Sequence, residues 1–163
     1  MCSGTCYGYL GRVGQEPLRC AGALIIDDEG RIFVQRRSPE RKLFPNTWDI
    51  VGGHVEPGES VDEALRREVE EETGWRISVV LGPVGEFSYT GDDGQDRVEQ
   101  DFLVRVDGNL DRPRLEKGKH TEWRWITEAD LDLLDEPTSI REIVIAGFAT
   151  ARLFGFAGSA GKD

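Results

Sequence analysis

The chain of 163 residues carries 20 Lys and Arg against 31 Asp and Glu, a net charge of -11. That length buries the core of one domain, and the acidic balance disfavours broad binding to nucleic acid polymers or anionic membranes. No run approaches the ~20 consecutive apolar residues of a membrane span, and the three cysteines, odd in number and without paired spacing, support neither a disulfide framework nor a zinc knuckle. Residues 1–6 lack the basic and apolar parts of a signal peptide, so a soluble, cytoplasmic protein is the expectation.

In chain order, residues 1–18 match no recognisable pattern and read as an N-terminal extension. Residues 19–26 form an apolar strand with Cys20 as a small buried residue, residues 27–30 (Asp-Asp-Glu-Gly) a turn, and residues 31–36 a second strand, together predicting a hairpin. From Arg31 to Lys42 five basic residues face Glu40 alone, a local excess of positive charge in an acidic chain. Arg36, Arg37 and Lys42 are therefore candidates to hold phosphate oxygens, since guanidinium makes paired, charge-assisted hydrogen bonds. Phe44, in the polar loop that follows, is the aromatic residue best placed to stack a base, whereas Trp48 and Trp125 read as core.

Residues 48–51 form a short strand leading into a glycine loop and then a helix. Ser60 caps that helix with Glu63 in a capping box, Val61, Ala64, Leu65 and Val69 give it one apolar face, and Gly74 stops it. Spacings of three and four place Glu68, Glu71 and Glu72 on one surface, while Glu70 points elsewhere. Carboxylates crowded in this way repel one another unless a divalent cation neutralises them. Residues 77–89 read as one or two extended segments broken near Gly82-Pro83, and residues 98–106 and 122–126 as further strands. Thr127 begins a short helix through Leu134, and residues 139–154 place Ile140, Ile143, Val144, Gly147, Phe148 and Ala151 on a helical face. Residues 155–163 read as a frayed tail.

From Gly53 onward, Glu59, Arg67-Glu68-Val69, Glu71-Glu72 and Gly74-Trp75 fit the box GX5EX7REUXEEXGU without a gap, so the chain resembles the Nudix hydrolase family; Trp75 is bulkier than the usual aliphatic residue there. The resemblance implies an α/β/α sandwich over residues 19–154, with a mixed sheet between the box helix and a C-terminal helix. It implies Mg2+, or Mn2+, bound by Glu68, Glu72, Glu71 and the main-chain carbonyl near Gly52, an all-oxygen set suited to hard cations. Glu71 would also serve to activate water, and Arg67, supported by Glu59, would fix the glutamate rotamers.

An acidic residue after the box serves some relatives as metal ligand or general base. Glu99, which shares a strand face with Asp101, is the first candidate here and Glu122 the second. His54 receives no catalytic role, and His120 reads as an ordinary loop residue. The reaction implied is hydrolysis of a diphosphate linkage in a small nucleoside diphosphate derivative, such as a nucleoside triphosphate or nucleotide sugar, by water attack on phosphorus. The alternative is a non-catalytic nucleotide-binding module of the same fold. Homodimers occur among relatives, and a homodimer is an expectation from that resemblance alone.

Overall fold

The structure, a computed structural model, describes residues 15–134 and 139–156. Among the described residues seven strands and two α-helices follow one another: β1 (Leu18–Ile25), β2 (Ile32–Arg37), β3 (Trp48–Asp49), β4 (Val51–His54), α1 (Val61–Thr73), β5 (Arg76–Thr90), β6 (Asp96–Asp107), β7 (His120–Ile126), a 3-10 turn (Glu128–Leu133) and α2 (Ile140–Leu153). They build a four-stranded mixed sheet in the order β4-β1-β6-β5, in which β1 and β6 run parallel, and a three-stranded antiparallel sheet in the order β3-β2-β7. Among the described residues no helix is long and apolar enough to cross a membrane.

Strand alternation divides the core into two layers. Ala21, Ala23 and Ile25 of β1, with Phe33 and Val104, pack against Ala64, Leu65 and Val69 of α1. The intervening Leu24, with Ile26, Ile32, Val34 and Leu103, packs against Ile140, Ile143, Val144 and Phe148 of α2. The sheets thus lie between the box helix and the C-terminal helix. The face expected on α2 is buried, Val144 completely.

The ends of α1 follow the sequence signals. Glu63 N donates to Ser60 Oγ at 3.2 Å and Ser60 N to Glu63 Oε2 at 2.8 Å, while Gly74 takes φ 75°, which only glycine adopts without strain.

Three expectations are corrected. β1 and β2 do not pair as a hairpin: β4 and β6 occupy the two edges of β1, so β2 joins the other sheet and meets the end of β1 only at the Ile26–Ile32 bridge. The turn between them is fastened by Asp27 Oδ1, which accepts from the amides of Glu29 and Arg31 at 3.0 and 2.8 Å. Residues 48–51 are not one strand but two, because the chain crosses from one sheet to the other at Ile50. β5 runs unbroken through Gly82-Pro83; it is an edge strand that absorbs the irregularity in bulges, and proline costs nothing where its missing amide faces no partner. Most of the N-terminal extension and tail, residues 1–14 and 157–163, lies outside the described residues.

Candidate active site

The crossing at Ile50 lays the glycines of β4 directly beneath α1. Glu68 and Glu72, one turn apart, both face this backbone. A Cβ on Gly53 would overlap Glu68 Oε1 and stand 2.8 Å from Oε2, so only glycine lets the carboxylate approach. Glu72 Oε2 accepts from Gly52 N at 3.1 Å and from Gln35 Nε2 at 2.7 Å. Its other oxygen, Oε1, stands 4.0 Å from His120 Nε2.

Arg67 bridges the loop to the helix. It donates to both Glu59 oxygens at 2.8 and 3.0 Å, to Glu68 Oε1 at 2.7 Å, to Glu71 Oε2 at 3.2 Å and to the His54 carbonyl at 3.0 Å. These bonds pull the Glu59 carboxyl below its usual range. Arg67 thereby fixes the rotamers of the two glutamates flanking its own turn, while Glu71 remains the most exposed of the three box carboxylates.

Burial, then the neighbouring Glu68 charge, pushes the Glu72 carboxyl up to about 8. Glu68 is raised by burial as well, against the pull of Arg67. Two adjacent carboxyls held above their normal range are destabilised as anions, the condition a bound cation relieves. Among the described residues no three acidic, histidine or cysteine side chains converge as a ready-made metal cage. The donor chemistry nevertheless fits a hard cation. Glu68, Glu72 and Glu71 offer only oxygens, and Glu72 Oε1 receives no hydrogen bond from the described residues.

β6 supplies a second acidic group. Glu99 is half-buried and accepts from Tyr89 Oη at 3.0 Å. Behind it Asp101 is wholly buried, its oxygens receive no donor among the described residues, and burial followed by the charge of the adjoining Glu99 carboxyl pushes its own carboxyl well above the usual range. Gly22 of β1 makes room for both. A Cβ there would overlap Asp101 Oδ1 and lie 2.7 Å from Glu99 Oε1 and 2.9 Å from Ile50 Cδ1.

Beside these groups lies a cleft of about 650 Å3, lined by Arg37, Phe44, Gly52, Arg67, Glu68, Glu71, Glu72 and Glu99 among the residues singled out from sequence. Arg36, Lys42 and Glu122 do not line it. Neighbours on a strand project to opposite faces, so Arg37 turns into the cleft, bound to Asp49 Oδ2 at 3.1 Å and to the Leu43 carbonyl at 2.8 Å. Arg36 turns away and pairs with Glu122 at 3.3 Å, and Lys42 is exposed. Phe44 stands at the mouth, 6.3 Å from Tyr89 between ring centroids, with a strained φ of 45°. Trp125 packs in the α1 layer and Trp48 against the α2 layer.

His120 is not a loop residue: it opens β7, buried beneath Glu72, with its pKa driven down to about 3 by burial and then by Arg37. Sequence reasoning also passed over Gln35 and Asp49, whose spacing carries no signal, and counted Arg41 only as one of the basic residues between Arg31 and Lys42. Asp101 was noted only as sharing the Glu99 face.

The NUDIX domain family matches residues 16–146. The chain is 38% identical over 118 residues to an uncharacterized Nudix hydrolase of Streptomyces coelicolor, covering 70% of this chain and 62% of that one. It is 29% identical over 119 residues to the nucleoside triphosphatase NudI of Salmonella agona, covering 68% and 83%. For the relatives matched at 38 to 40% identity, the shared stretch spans only 44 to 62% of their length. A MutT NUDIX hydrolase from Burkholderia pseudomallei has a crystal structure that superposes with a TM-score of 0.67 at 27% identity, over 81% of this chain and 98% of that one. With its box seated on the fold these relatives share, the chain belongs to the NUDIX domain family.

Proposed function

We propose that this protein hydrolyses a diphosphate linkage in a nucleoside diphosphate derivative, with Mg2+ or Mn2+ held by Glu68, Glu72, Glu71 and the Gly52 carbonyl. The observation that carries the reading is the pair Glu68 and Glu72, adjacent, raised in pKa and facing a cleft whose rim bears arginines. When bound, the cation would neutralise phosphate oxygens, lower the pKa of a water and stabilise charge on the departing phosphate. The chain's own residues do the rest. Arg67 holds the Glu68 and Glu71 carboxylates in register, Gln35 and the Gly52 amide hold Glu72, and Arg37 offers charge to the substrate from the rim. Glu99 is the group to accept the proton of the attacking water, with Tyr89 Oη fixing its carboxyl. Phe44 and Tyr89 flank the place for a base.

A nucleoside triphosphate leads the substrates to be tested, because NudI is named for acting on one and its match covers 83% of that protein. A single domain over residues 19–154, a cytoplasmic location and a small-molecule substrate complete the proposal. It is tested by Mg2+-dependent phosphate release across nucleoside triphosphates, nucleotide sugars, dinucleotides and isoprenoid diphosphates. Turnover of a nucleotide is the expected result. Stoichiometric binding without turnover on any of them would make the domain a nucleotide-binding module instead.

A further inference from the structure

Near Glu72 the cleft has a cationic edge that the reading above leaves unused. After β2 the chain turns back on itself, the Arg41 amide donating to the Ser38 carbonyl at 3.2 Å. Ser38, 3% exposed, ties this turn to the one before β7: its amide donates to the Lys119 carbonyl at 2.8 Å and its hydroxyl to the Gly118 carbonyl at 2.9 Å. One serine thus brings two basic side chains, Arg41 and Lys119, to the same cleft.

The other cleft arginines each already hold a carboxylate partner, Arg37 in Asp49, Arg67 in Glu59 and Glu68, and Arg97 in Asp93, while Lys119 pairs with Glu116 at 2.6 Å. Among the described residues Arg41 is the one cleft arginine whose guanidinium makes no hydrogen bond or ion pair. Burial and the nearby Arg37 charge lower its pKa. A partly desolvated guanidinium with five donors and no acceptor calls for an anion. The number of charges indicates which anion. A diphosphate capped at both ends carries one charge on each phosphoryl group, which a single divalent cation matches. A free terminal phosphoryl group adds roughly two more near neutral pH.

We propose that Arg41, held on the Ser38 clamp beside Lys119, is the subsite for the terminal phosphoryl group of a phosphate chain. The protein then favours nucleoside triphosphates, whose departing pyrophosphate is uncapped, over nucleotide sugars, whose departing phosphate is capped by the sugar. This rests on the diphosphate-hydrolysis reading but is tested apart from it, by equilibrium binding.

In Mg2+, calorimetric titration of the full chain with inorganic pyrophosphate, which carries a second phosphoryl group, and with glucose 1-phosphate, which carries the sugar in that place, reads the two cases separately. Arg41→Gln should weaken pyrophosphate roughly tenfold or more, the scale of one lost charged hydrogen bond, and leave glucose 1-phosphate within about threefold. Arg41→Lys should recover part of the loss, Ser38→Ala should show a smaller loss in the same direction, and the exposed Lys117→Gln should bind like wild type. Melting temperatures recorded alongside show that each variant is folded. The proposal is overturned if wild type fails to bind pyrophosphate, if Arg41→Gln binds it within about threefold of wild type, or if both ligands weaken equally. Absent turnover with this pattern intact would instead remove the hydrolase reading and leave the subsite standing.

Discussion

Gly22 offers the sharpest test of the acidic floor of the cleft. It has an ordinary strand conformation, so alanine there costs no backbone strain, and any penalty comes from the space its methyl group needs. That space is filled by Asp101 Oδ1, with Glu99 Oε1 at 2.7 Å and Ile50 Cδ1 at 2.9 Å from the new Cβ. Asp101 and Ile50 are 0% and 3% exposed, so neither can swing into solvent. Overpacking of this kind costs about 1–3 kcal/mol. At roughly 3–4 °C per kcal/mol for a domain of this size, Gly22→Ala should melt about 3–12 °C lower and show a matching fall in urea midpoint at unchanged m.

The double variant Gly22→Ala/Asp101→Ala supplies the control, because the added methyl then enters the volume the carboxyl vacates. The two changes should couple favourably by about 1 kcal/mol or more in a double-mutant cycle. Because Glu99 must move with its neighbour, turnover in the single variant should fall as well. Melting of Gly22→Ala within about 1 °C of wild type, or simple additivity in the cycle, would refute the placement of both acids over this glycine.

Glu71→Gln and Glu72→Gln should each cut Mg2+-dependent turnover at least ~100-fold with the fold intact, since losses one layer out from a metal already reach roughly 10- to 100-fold; steady-state rates within threefold of wild type would remove that residue from the site. Val144→Asp places a carboxylate at a position of zero exposure in the α2 layer and should cost about 3 kcal/mol or more, seen as unfolding or aggregation, whereas unchanged melting would contradict the buried face of α2. For pH, burial holds the folded pKa of Glu72 at about 8 and that of Asp101 well above its unfolded value, so each contributes stability that is lost as pH rises through the folded value. His120, at about 3 when folded, opposes them only below its unfolded value near 6.5. Between pH 6.5 and 8 the cation-free protein should therefore lose on the order of 1 kcal/mol per pH unit or more, read as a falling denaturation midpoint that Asp101→Asn makes shallower. A midpoint flat over that window would show that these acids are not held protonated.

How much of this was legible in the chain depended on how local the interaction is. The box helix, its Ser60–Glu63 cap, its Gly74 stop, the shared face of Glu68, Glu71 and Glu72, and the buried stripe of α2 all follow from spacings of three and four residues, which helical geometry converts directly into neighbours. The sequence by itself therefore determined the family and the gathering of these carboxylates on one face of the box helix. Pairing of strands is different, because a strand carries its period but not its partner. Whether β2 pairs with β1 or β7 is decided by which edges β4 and β6 already hold, and the division of residues 48–51 between two sheets is invisible to any local pattern. The same limit hid the rest of the site. Arg36 and Arg37 look alike in sequence, and only the facing of β2 sends one to Glu122 and the other into the cleft. Gln35 and His120 reach Glu72 across 37 and 48 positions of chain, and Asp101 became a buried acid only when Gly22 was laid against it. Burial, and with it the raised pKa values of Glu72 and Asp101, belongs to the assembled layers, because desolvation depends on what surrounds a carboxylate in space rather than on what precedes it in the chain.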